Sequence, residues 1–167
     1  MKSMSHNGSH YVRNFVFGVE DSLVSTVGLL SGIAVTGLPK TQIFLTGIVL
    51  IFVEAFSMGV GSYLSESTVE DSERKHESVL TIEGALIMFF SYFASGFIPL
   101  SPYMFIENNI TGLIVSIIFS LVALFLLGVV SGRLTGSKNV WRKGLKMFLI
   151  GGTTVLIGTI VGLLVDA

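Results

Sequence analysis

Uninterrupted apolar runs, rather than alternating apolar and polar positions, set the pattern of this chain. Stretches without a charged residue cover 22–39, 84–106, 108–132 and 147–165. Each is near the roughly 20 residues that an α-helix needs to cross the hydrocarbon core of a bilayer. A further run, 41–65, is apolar apart from Glu54 near its middle. Barrel strands would alternate over segments of about ten residues, and continuous runs of this length satisfy their own backbone in lipid only as helices. The pattern predicts an all-α integral membrane protein with a single membrane domain over 1–167, its five spanning helices near 12–37, 41–76, 79–101, 109–132 and 143–165. Gly37-Leu38-Pro39-Lys40 predicts a tight turn, Pro99 and Pro102 an end to the third span, and Glu107-Asn108-Asn109 a short loop before the fourth.

Composition supports the same class. Hydrophobic residues make up 51% of the chain and charged residues 13%, with a mean hydropathy of +0.80, outside the range of soluble domains. The net charge of −1 says little, but the basic residues are skewed. Lys2 and Arg13 precede the first span, Arg74 and Lys75 separate the second from the third, and Arg133, Lys138, Arg142, Lys143 and Lys146 separate the fourth from the fifth. Only Lys40 falls on the other side, so the positive-inside rule predicts a cytoplasmic N-terminus and a C-terminus on the opposite face. The basic loop with Trp141 reads as topology control in preference to lipid-specific recognition. Residues 1–10 read as a solvated tail without a cleavable signal, in which His6 and His10 are not metal ligands. The absence of cysteine excludes disulfides and thiolate metal sites. Gly28/Gly32, Gly128/Gly132 and Gly158/Gly162 each form GxxxG, expected to let helices pack closely, with a dimer contact as a second use.

The chemistry is expected where charge stands inside the bilayer. A carboxylate at the membrane centre costs at least about 2.5–3.5 kcal/mol, so it is kept with a partner, a water path or a function. Glu20 and Asp21 fall in the first span, Glu54 in the second and Glu83 near the start of the third. Counted inward at about 1.5 Å per residue, Asp21 is roughly 12 Å along the first helix and Met58 roughly 10 Å along the second. This predicts that the two are level, with Glu54 one turn deeper on the face of Met58 and Glu83 at the height of Asp21. Glu20 points about 100° from Asp21, so both cannot readily face one site. Carboxylates suit Mg²⁺, Mn²⁺ and Fe²⁺, and a thioether favours the transition metals among them. Beyond the second span, Glu66, Glu70, Glu73 and Glu77 are spaced i, i+4, i+7 and i+11. They form one acidic helical stripe, either a solvated edge or a ramp that gathers metal.

The residues also resemble the vacuolar iron transporter family. Phe17-Gly18-Val19-Glu20-Asp21-Ser22-Leu23-Val24-Ser25-Thr26 is similar to the family's first-helix motif, and Ser57-Met58-Gly59-Val60-Gly61-Ser62-Tyr63 to its Ser-Met-x-x-Gly-x-Tyr segment. Gly96-Phe97-Ile98-Pro99-Leu100-Ser101-Pro102-Tyr103 is similar to the family's third-helix end, and Leu149-Ile150-Gly151-Gly152 to the start of its fifth helix. The resemblance implies that Asp21 and Met58 line an ion path and that a homodimer exchanges metal for protons. Only residues 66–81 separate the second and third spans, so the family's cytoplasmic helical metal-binding insertion is missing, and Glu54 stands where a small residue is common.

Together these readings predict export of Fe²⁺ or Mn²⁺ from the cytoplasm by proton antiport, with Asp21, Met58, Glu54, Glu20, Glu83, Glu66, Glu70, Glu73 and Glu77 as candidate metal residues. No resident cofactor and no nucleic-acid partner are expected. The membrane would be the inner membrane of a prokaryote, or a vacuolar or organellar membrane of a eukaryote. No nucleotide-binding loop, HExxH motif or nucleophile and base pair argues for a pump or an enzyme. The alternative is a non-transporting membrane subunit that docks a soluble iron-storage or ferroxidase partner.

Overall fold

The computed structural model describes residues 6–72 and 79–166, apart from the side chains of His6 and Asn7. Its elements are α1 (His6–Ala34), α2 (Lys40–Ser72), α3 (Val79–Leu100), the short α4 (Pro102–Phe105), α5 (Asn109–Leu134) and α6 (Val140–Asp166). Five of these are long and apolar enough to cross a membrane: α1, α2, α3, α5 and α6. The described residues contain no strand, and the chain is an all-α, multi-pass membrane protein. With 29 and 33 residues, α1 and α2 are about 43 and 50 Å long, more than the roughly 30 Å hydrocarbon core. Both therefore continue past the apolar layer. Helix α1 is already formed ahead of residue 12, and its first turns dock on α3. A methyl on Gly84 would lie 2.5 Å from His10 Cε1 and 2.6 Å from Asn14 Nδ2.

The turns follow from local chemistry. Gly37 (φ 70°) and Gly136 (φ 66°) close the ends of α1 and α5 in the left-handed region that glycine adopts without strain. Asn108 caps α5, its side chain accepting from the Thr111 N–H at 3.0 Å. Pro99 does not end α3 but sits inside its last turn, and its carbonyl accepts a bond from Ser116 Oγ at 2.6 Å. Pro102 then opens α4, where a missing N–H costs nothing.

Helix α1 is the hub and packs against every other span, whereas α2 leans mainly on α3, and α6 lies against α1 and α5. The glycine motifs explain the closest approaches. A methyl on Gly158 would lie 2.1 Å from the Gly28 carbonyl oxygen, and one on Gly162 would lie 2.1 Å from that of Gly32, so α1 and α6 run parallel in backbone contact. Gly128 meets Gly144, and Gly132 meets Val140, in the antiparallel α5–α6 pair. All three GxxxG motifs are thus used within one chain. A buried apolar cluster of Leu30, Ala34, Ile43, Ile51, Leu100, Tyr103 and Leu113 fills the end of the bundle near Lys40. There Lys40 pairs with Glu107 at 2.8 Å, and Asn109 Nδ2 donates to the Leu38 carbonyl at 2.8 Å, tying the two turns together.

Candidate metal path

The midpoint of the bundle is fixed by a glycine. A methyl on Gly96 of α3 would meet Ile51 Cγ1 at 2.7 Å and Ser22 Oγ at 2.9 Å, so these residues of α3, α2 and α1 share one level. Helix α2 runs antiparallel to α1. Glu54 is therefore about 4.5 Å from that level toward the His10 end of the bundle, and Met58 about 10 Å. This corrects the expected register: Glu54, not Met58, is level with Asp21. The count took Ser65 as the membrane boundary of α2, whereas the register is set by the approach of Ile51 to Gly96. Asp21 and Glu54 are both half-buried and lie within each other's electrostatic field. Met58 is half-buried one turn along the same α2 face.

Tyr92 of α3, fully buried, lies in the field of both carboxylates. Its hydroxyl is 2.7 Å from Ser25 Oγ, and its carbonyl accepts from Ser22 Oγ at 2.7 Å. Sequence reasoning missed Tyr92. The available signal was the polar set Ser91, Tyr92 and Ser95 at helical spacing inside an otherwise apolar span. Beyond this level, toward Lys40, polar groups give way to the apolar cluster around Leu30, Ile43 and Leu100.

The other predicted carboxylates separate. Glu20 lies in the field of Lys146 on α6 and of its neighbour Asp21, from which it points about 100° away around α1. Glu83 is exposed and accepts a hydrogen bond from the Tyr11 hydroxyl. Tyr11 is ten residues before Asp21, about 15 Å along α1, so Glu83 is not at the height of Asp21 as expected. Helix α3 begins at Val79 beside the first turns of α1, which draws Glu83 to the bundle's end.

A polar cluster gathers at that end. Glu66 Oε2 pairs with Arg13 Nη2 at 3.2 Å, and Glu66 Oε1 is 3.2 Å from His10 Nε2. Asn14, 2% exposed, packs beside His10 over Gly84. His10 is thus a packed helical residue and not part of a solvated tail. Of the acidic stripe, Glu66 is half-buried and ion-paired, and Glu70 half-buried on α2. Glu73 and Glu77 lie outside the described residues. Among the described residues no three His, Asp or Glu side chains converge as one metal-holding group. One chain instead offers a two-carboxylate pair with a nearby thioether inside the spans, and a polar cluster around Glu66 at the His10 end.

Comparison with known proteins places these features in a family. The family model described as the VIT family matches residues 12–81 and 77–163, nearly the whole chain. Vacuolar iron transporter 1 of Tulipa gesneriana is 24% identical over 81% of this chain and 81% of its own length. Proteins of the same name from Arabidopsis thaliana and from Oryza sativa subsp. japonica are each 23% identical, covering 87% and 95% of this chain and 84% and 88% of their own. The tulip alignment runs over 201 residues while covering 81% of a chain of 167, so that relative has residues within the matched stretch that are missing here. The two family-model matches overlap at 77–81, around the start of α3. By this match, this short, five-span chain belongs to the VIT family.

Proposed function

We propose that the chain carries Fe²⁺, and Mn²⁺ as a close alternative, out of the cytoplasm in exchange for protons. The observation that supports this most is the Asp21–Glu54 pair, two carboxylates on facing helices inside the spans. Two negative charges so placed repel each other unless a cation or a proton lies between them, so one site serves both ions. Met58 supplies a softer ligand to a metal approaching from the His10 end, which favours transition metals over Mg²⁺. The apolar cluster at Leu30, Ile43 and Leu100 packs the far side, so in our reading metal reaches the pair from the His10 end. In our reading that end is cytoplasmic, as the skew of Lys and Arg implies. The relatives' name, vacuolar iron transporter, supports iron as cargo and a vacuolar membrane as residence.

The working unit is a homodimer. One chain offers too few ligands for the six-coordinate shell that hard divalent ions favour, and a two-fold axis doubles them. The surface for it is on α2. Ser57, Gly61 and Ser65 are exposed and follow the same helical stripe as Glu54 and Met58, a small-residue face suited to close helix contact. The test is uptake by the purified chain alone in proteoliposomes with Fe²⁺, Mn²⁺, Co²⁺ or Zn²⁺ under a pH gradient. Fe²⁺ or Mn²⁺ accumulation driven by the gradient is expected. No flux of any of the four would leave the docking-subunit reading in its place.

A further inference from the structure

The metal path leaves unused the most basic part of the molecule. The turn from α5 into α6 borders an open cavity of about 610 Å³ lined by Ser137, Lys138, Asn139, Arg142, Lys143 and Lys146, and continued by Leu145 and Leu149. No carboxylate lines it. Lys143 Nζ donates to Thr135 Oγ1 at 2.7 Å, so one of the four cations is anchored from below. The first turn of α6 adds N–H groups without intrahelical acceptors at the same place.

The apolar surroundings show which anion fits. Leu145 and Leu149 are 51% and 58% exposed on successive turns, and Trp141 is 68% exposed. They run from the basic rim toward the membrane interior, and α6 buries only 17% of its span, the smallest share of the five. A soluble anion would use the charges and leave the leucines idle. A lipid would use both, its phosphate among the cations and its chains along the leucines, with the indole at the interface.

We propose that the cavity of Lys138, Arg142, Lys143 and Lys146 holds the phosphate of an anionic phospholipid from the surrounding leaflet, with its acyl chains along Leu145 and Leu149. Charge that merely fixes topology needs no cavity and no particular side chain. A site depends on both. The inference rests on the membrane reading alone and stands whichever metal is moved.

The test is native mass spectrometry of the full chain, purified in detergent, stripped of lipid and offered equal amounts of phosphatidylglycerol and phosphatidylcholine. The wild type should retain phosphatidylglycerol several-fold over phosphatidylcholine. Lys138→Gln with Arg142→Gln should lower that retention about tenfold or more. Arg133→Gln, one charge outside the cavity lining, should leave it unchanged. The conservative pair Lys138→Arg with Arg142→Lys should keep it, which guards against a folding defect in the first pair. Equal loss in Arg133→Gln would mean generic charge attraction and would overturn the site. So would unchanged retention in the Lys138 and Arg142 pair, or displacement of the lipid by millimolar inorganic phosphate, which would make the ligand a soluble anion.

Discussion

Asp21 and Glu54 stand on facing helices inside the spans, and in our reading this makes Glu54 the residue on which coupling turns. Glu54→Gln keeps the volume and leaves Asp21 alone with the metal. Metal should then move down its own gradient without opposing proton movement, which a lumenal pH dye read alongside metal uptake would register. Lumenal pH changing in step with metal flux in that variant would transfer the coupling role to another group. Asp21 and Glu54 are candidates in the sequence because charge in an apolar run stands out, and Met58 because it lies one turn from Glu54 within the Ser-Met-x-x-Gly-x-Tyr resemblance. Their relative heights were not legible, since depth counted from a supposed membrane boundary carries an error of a turn or more. Gly96, which sets the level of Ser22 and Ile51, carries no chemical signal of its own. Tyr92 and His10 were illegible for related reasons: a tyrosine in an aromatic-rich span reads as packing, and a histidine in a polar tail reads as solvated.

Among the helices, the contact of α1 with α6 leaves least room for change. Gly158→Ala would place a methyl 2.1 Å from the Gly28 carbonyl oxygen, so the helices must part. Overpacking of this kind costs about 1–3 kcal/mol. A lower thermal midpoint in detergent is expected, whereas Gly152→Ala, which meets nothing within 4 Å, should hold or raise it. Equal midpoints would mean that the α1–α6 contact is looser than described. The five spans were legible from run length alone, because in lipid a continuous apolar run has one viable structure. Helix ends were less so: α1 is already helical where it docks on Gly84 through His10 and Asn14, and Pro99 lies inside the last turn of α3. The partners of the GxxxG motifs could not be read from sequence either, since small residues specify close approach but not to which helix.

As a whole, the molecule has a polar half toward His10 and an apolar half toward Lys40, a hub helix and one small-residue stripe on α2 facing outward. If that stripe is the dimer axis, the cysteine-free chain allows a clean check. Ser57→Cys should crosslink two chains in the membrane with a short thiol reagent, while Ile157→Cys on the exposed side of α6 should not. The opposite pattern would move the axis to α6. The family was legible in short motifs because those motifs sit where helices touch or where charge is buried, as at Gly18, Asp21 and Gly96. The central claim, that a carboxylate pair in the membrane is the carrier site, is tested most directly by Fe²⁺ uptake into proteoliposomes by Asp21→Asn. This substitution removes one charge from the pair without changing side-chain volume. The account predicts uptake reduced to the level of protein-free vesicles, with elution and thermal midpoint as in the wild type. Wild-type uptake by a folded Asp21→Asn protein would contradict it.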